Sequence, residues 1–140
     1  MAIEMKLEID GRMTREQAEL AFLTSGFDAC EAESDGALST FHPKAGLSAW
    51  LTRKEDPSPP LAEGMLAPPW LCRWLITFRY ATDSFDASHL ATMRFASELA
   101  RISSAHFVLS FQYEGVYGLR DRRGFRSIPD PDATMRNPIG

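Results

Sequence analysis

Cysteine, long apolar runs and nucleotide-binding glycine motifs are scarce or missing in this chain. Only Cys30 and Cys72 occur among 140 residues, with no CxxC and no neighbouring histidine pair. Neither a disulfide framework nor a zinc site is indicated. No apolar run approaches the ~18 residues that a membrane span needs. The N-terminus alternates polar and apolar residues where a secretory signal would place a basic block and then an apolar one. Walker A, G-x-S-x-G and a GxGxxG leading into a helix are all missing. These absences predict a cytoplasmic protein with no metal or cofactor, no membrane partner and no enzymatic activity.

What is present suits one globular core. The hydrophobic fraction is 44%, with nine Phe, three Trp and three Tyr, and 24% of residues are charged. That balance excludes a disordered chain, and the length suits a single domain. The expected organisation is one α+β domain over residues 1–127, followed by an irregular proline-bearing tail over 128–140.

Periodicity places the elements. Ile3, Met5, Leu7 and Ile9 alternate with polar residues and predict a strand ending at Asp10-Gly11. Thr14-Arg15-Glu16-Gln17 matches a capping box and starts a helix, with Ala18, Ala21 and Phe22 as its buried stripe and Gly26 as its stop. Weaker strand signals follow at Cys30–Glu33 and Thr40–His42, and a clearer one at Gly46–Arg53. Residues 57–69 carry five of the nine prolines, which predicts a long loop. Trp70–Tyr80 reads as a long central strand with one aromatic face. A second helix is expected over Asp86–Ile102, capped by Ser84 or Asp86, with Leu90 among the residues widening its apolar stripe. His106–Tyr113 and Val116–Arg120 read as strands separated by a hairpin turn or a bulge at Glu114-Gly115, and Asp121–Gly124 as a charged turn. Two helices on one mostly antiparallel sheet give a two-layer sandwich. The element order hints at two βαβ-like halves, although no internal sequence repeat aligns.

Candidate chemistry is sparse. His42, His89 and His106 fall in different elements, and His106 on an apolar strand reads as structural. His89 lies in the first turn of a helix, a poor site for an imidazolium. Glu31 and Glu33, at a spacing of two, share one face of a polar segment, where solvent keeps both ionised; this is an anionic edge and not an acid–base pair. Arg120, Arg122, Arg123 and Arg126 form a small basic cluster, read as a solvated turn with no direct role in nucleic-acid binding. Trp50, Trp70 and Tyr117 suit either the core or an interface anchor.

Charge is the most uneven property. Residues 1–36 hold nine acids against three bases, while residues 101–140 hold four acids against six arginines, within a net charge of −4. An acidic first quarter repels phosphate and attracts a basic partner.

The segment SAHFVLSFQYEGVYGLRDRRGF, from Ser104 to Phe125, resembles the terminal strands of immunity proteins encoded beside bacterial polymorphic toxins, including contact-dependent growth inhibition systems. The resemblance covers residues 84–126 and leaves out the acidic N-terminal region and the proline loop. It implies a protein that binds one cognate toxin domain and blocks it. Many such toxins are nucleases, whose clefts must be basic to hold phosphates. The expected contact residues are Asp28, Glu31, Glu33 and Asp35, with Glu55 and Asp56 beside the proline loop. The competing expectation is a small-ligand-binding domain or enzyme using a cleft under the Pro57–Pro69 loop, with His42 or His106 as its polar group. A third is a homodimer built on an exposed strand edge.

Overall fold

In the computed structural model, which describes residues 3–34, 36–63, 69–80 and 82–128, alternation in the first strand sets the register of the whole sheet. β1 (Ile3–Ile9) lies between β5 (Cys72–Tyr80) and β6 (Phe107–Phe111), antiparallel to both. Directly paired residues share a face, so Leu7 aligns Ile76 and Leu109 in one buried row, while Lys6 aligns Thr77 and Ser110 on the opposite side. The rows extend through β4 (Leu47–Ser58), β3 (Leu38–His42) and β2 (Glu31–Ala32) on one flank, and through β7 (Gly115–Asp121) and β8 (Gly124–Ser127) on the other. The result is one eight-stranded antiparallel sheet in the order β2-β3-β4-β5-β1-β6-β7-β8. Helices α1 (Arg15–Thr24) and α2 (Phe85–Ile102) cover the Leu7 face. This is the expected α+β sandwich.

The ends of α1 follow from local chemistry. Thr14 Oγ1 accepts the Gln17 N–H while Gln17 Oε1 accepts the Thr14 N–H, completing the capping box. At the other end the Phe27 N–H reaches the Phe22 carbonyl at 2.9 Å and the Gly26 N–H reaches that of Leu23 at 3.2 Å. This is a Schellman closure, and the Phe22 and Phe27 rings meet edge-on at 5.1 Å as its hydrophobic contact. Gly26 sits at φ +100°, and a Cβ there would lie 2.8 Å from His42 Nε2. Gly26→Ala therefore combines backbone strain with a clash and should cost about 1–3 kcal/mol. A urea midpoint unchanged from wild type would show that the closure tolerates a side chain.

Several boundaries depart from the sequence reading. β4 runs on through Pro57 and Ser58, past a register shift between Arg53 and Ser58; a proline is tolerated where a bulge has already broken the ladder. The proline connection therefore starts at 59, and its residues 64–68 lie outside the described region. Leu90 is 56% exposed, so the buried face of α2 is narrower than expected and centres on Ala91, Phe95, Ala96 and Leu99. Ser84 occupies the N-cap without a side-chain capping bond. The turn after β6 is built on Gln112 and Tyr113, at φ +48° and +69°, with Gly115 already in β7. Arg122 and Arg123 form the tip of a β7–β8 hairpin whose second strand the sequence did not announce. Ile128 pairs its N–H with the Tyr117 carbonyl at 2.7 Å; the rest of the expected tail lies outside the described residues.

The element order does repeat, as strand, helix and three strands. The two trios are laid in opposite directions, however: β4, the last strand of the first trio, adjoins the central pair, whereas in the second it is β6, the first. Superposing the halves would require reversing one hairpin array, so the repeat is one of element order alone. Among the described residues no helix is long and apolar enough to cross a membrane.

Candidate functional site

Two clefts on different parts of the sheet collect the residues singled out above. The first lies at the β2 edge, on the face away from the helices. Pairing puts Glu31 opposite Ser39, and Ser39 opposite Trp50, in one row. Phe41 and Ser48 form the adjoining pair. Asp28 enters from the preceding turn, which is tied down twice: its N–H donates to the Phe41 carbonyl at 2.8 Å, and its own carbonyl accepts from Thr40 Oγ1 at 2.6 Å. Glu33 closes the β2–β3 turn through its backbone, and its carboxylate accepts from Ser39 Oγ at 2.5 Å. The outcome is a shallow groove of about 310 Å³ lined by Asp28, Glu31 and Glu33 on the β2 side and by Phe41 and Trp50 on β3 and β4. All three acids are exposed, Phe41 is 43% exposed, and Trp50 is half-buried.

Of the six expected contact residues, the structure brings these three together. Asp35 lies outside the described residues. Glu55 and Asp56 are exposed but sit elsewhere. The twelve-residue β4 carries Glu55 five residues beyond Trp50, or about 16 Å at the usual strand rise. The aromatic pair was the missed component: Trp50 was noted as a candidate anchor, but nothing in the sequence set Phe41 beside it.

The second cleft, of about 670 Å³, opens where the end of β1 meets the starts of β5 and β6. Asp10 and His106 adjoin there because the Asp10 N–H donates to the His106 carbonyl at 3.0 Å. His106 Nδ1 stands 3.2 Å from Asp10 Oδ2, while Asp10 Oδ1 accepts the Arg12 N–H at 3.0 Å. The carboxylate fixes the ring with Nδ1 toward it, and Nε2 has no protein partner among the described residues. Trp70 lies nearly parallel to the imidazole, at 25° and 6.5 Å between centroids. Arg12, Arg73 and Arg122 surround them. This constellation draws on four separate segments, so the sequence shows its members but not their meeting. Among the described residues no Ser, Thr, Cys or Lys lines the cleft; the side chains there can orient and hold a ligand.

The other histidines are accounted for by packing. His42 Nδ1 accepts the Ala45 N–H at 3.1 Å, and its ring meets Phe27 edge-on at 5.0 Å. His89 contacts the Tyr80 hydroxyl at 3.1 Å and stacks on Phe85; burial lowers its pKa, against the opposing charge of Asp86. Burial likewise pushes the Cys30 and Cys72 thiols up to about 11, so both are unreactive near neutrality. Among the described residues no group of three or more His, Cys, Asp or Glu side chains is placed to hold a metal ion.

Comparison of the chain with family models, with curated proteins and with solved structures gave no match.

Proposed function

We propose that this chain is a non-enzymatic binding protein that docks a basic protein domain on its acidic sheet edge, as an immunity protein docks and blocks its cognate toxin. The observation that carries this reading is the groove at β2, β3 and β4, where three carboxylates on the β2 side lie beside two aromatic rings. Such a surface has two separable physical effects. The exposed acids raise the rate of encounter with a cationic partner and disfavour acidic ones. Phe41 and Trp50 supply apolar area that holds the partner once water has left, the usual role of aromatic anchors. The segment from Ser104 to Phe125 that resembles immunity proteins lies on the opposite flank of the sheet; it supports the class of protein and says nothing of the surface used.

The test is a kinetic titration against the protein encoded immediately upstream. Wild type should bind below micromolar concentration. Glu31→Lys with Glu33→Lys should slow association by about ten- to a hundredfold at low ionic strength, with the difference shrinking as salt screens the charges. Trp50→Ala should act chiefly on dissociation, by about tenfold or more. No binding at micromolar concentration removes the toxin-neutralising reading, and unchanged association kinetics in the double variant removes the acidic edge from it.

A further inference from the structure

We propose that the second cleft binds a nucleoside phosphate, either free or at the 5′ end of a single strand. The proposal is independent of protein docking at the acidic edge, since the two clefts share no lining residue.

Size is the first argument. About 670 Å³ is typical of a small-ligand site. Charge is the second. Among the described lining residues three guanidinium groups face a single carboxylate, Asp10. It is engaged by His106, by the Arg12 N–H and, more loosely at 3.9 Å, by the Arg12 guanidinium itself, leaving two arginines without a carboxylate partner in the cleft. Arg73 is held in place because Nη1 donates to the Lys54 and Glu55 carbonyls, at 2.8 and 3.2 Å; the rest of its fork has no protein partner among the described residues. Arg12 and Arg122 are exposed and can close on an anion from the mouth. Planar guanidinium forks match phosphate oxygens in pairs.

Shape is the third argument. The half-buried Trp70 offers a flat wall beside phosphate-binding groups, and every base has a face that stacks on such a wall. His106, held by Asp10 through Nδ1, leaves Nε2 as a hydrogen-bonding point between wall and arginines. An inorganic anion would leave the aromatic wall unused, and an uncharged ring would leave the arginines unused. Glu55 and Asp56 stand exposed on β4 near Pro57 without lining the cleft; they disfavour the passage of a long polyanion. A single terminal nucleotide satisfies every part.

The experiment is calorimetric titration of the whole chain with AMP, adenosine, inorganic phosphate and a 5′-phosphorylated RNA hexamer. AMP should bind saturably with a dissociation constant of about 1 mM or tighter, and adenosine and phosphate at least about tenfold more weakly. Arg12→Ala with Arg122→Ala, both at exposed positions, should weaken AMP by about tenfold or more with an unchanged circular dichroism spectrum. Trp70→Ala should weaken AMP and leave phosphate unaffected. A hexamer that binds more tightly than AMP assigns the site to a strand end; one that binds more weakly assigns it to the free nucleotide. No saturable AMP binding up to about 10 mM, or an arginine double variant that binds AMP like wild type, overturns the proposal.

Discussion

Phe22→Ala should lower the free energy of unfolding by about 3–5 kcal/mol. Phe22 is 1% exposed, and its ring lies 4.3 Å from that of Phe95 on α2 and 6.4 Å from that of Phe78 on β5. It also makes the Phe27 contact that closes the Schellman motif. One truncation therefore opens a void where α1, α2 and the sheet meet, and the surrounding rings are held by several neighbours each, so collapse into the void is limited. Against a usual total of about 5–15 kcal/mol, this is a large share. The measurement is urea unfolding, with a lower midpoint at unchanged slope. Leu23→Ala, one residue on but 53% exposed, is the internal control and should shift stability by no more than about 0.5 kcal/mol. Similar losses in the two variants would show that the aromatic cluster is not the structural centre described above.

Glu8→Ala should cost about 2–3 kcal/mol and loosen the proline connection. Glu8 lies on the sheet face away from the helices yet is 2% exposed, because the chain after β4 folds across it. Its two carboxylate oxygens accept the Leu61 and Ala62 N–H groups, at 2.6 and 3.0 Å. The Glu63 N–H adds an anchor to the Tyr113 carbonyl at 2.6 Å. Removing the carboxylate leaves two amides without their acceptor, so hydrogen exchange at Leu61 and Ala62 should accelerate well beyond any change in the β1 amides. Equal acceleration throughout would indicate global destabilisation in place of a local release.

The same carboxylate gives a pH dependence of definite sign. Burial raises the Glu8 pKa, outweighing the Leu61 and Ala62 hydrogen bonds and the Lys54 charge that lower it. A raised folded-state pKa means that the folded chain binds the proton more readily than the unfolded one. The stabilisation linked to that proton is full below the ordinary carboxylate value, near pH 4, and is lost as pH rises through the folded-state value. Measured against Glu8→Gln, which does not titrate, the relative stability of wild type should fall across that window and then level off. A rise would mean that the hydrogen bonds, and not desolvation, dominate.

The acidic groove and the arginine-rimmed cleft differ in how legible they were in the sequence. Asp28, Glu31 and Glu33 are close in the chain, so a charge count over one segment was enough to find them. Asp10, Trp70, His106 and Arg122 are separated by 60, 36 and 16 positions, and each alone looks like a strand end, a core aromatic or a turn. Only the register of β1 against β5 and β6, and of β7 against β6 and β8, brings them to one rim. Glu8 was hidden for a related reason: alternation assigns it to the outer face, and alternation carries no information about which later segment will cover that face.

Local rules determined the elements themselves: period-two alternation for β1 and β5, a reciprocal side-chain cap for the start of α1, and a glycine with positive φ for its end. These depend on neighbours within a few residues, so a single sequence contains all that they need. Strand order, the length of β4, the β8 pairing and the burial of Glu8 were decided by packing between residues far apart in the chain. Pairing energy there depends on what each face meets after collapse, and that partner cannot be identified from either segment read alone.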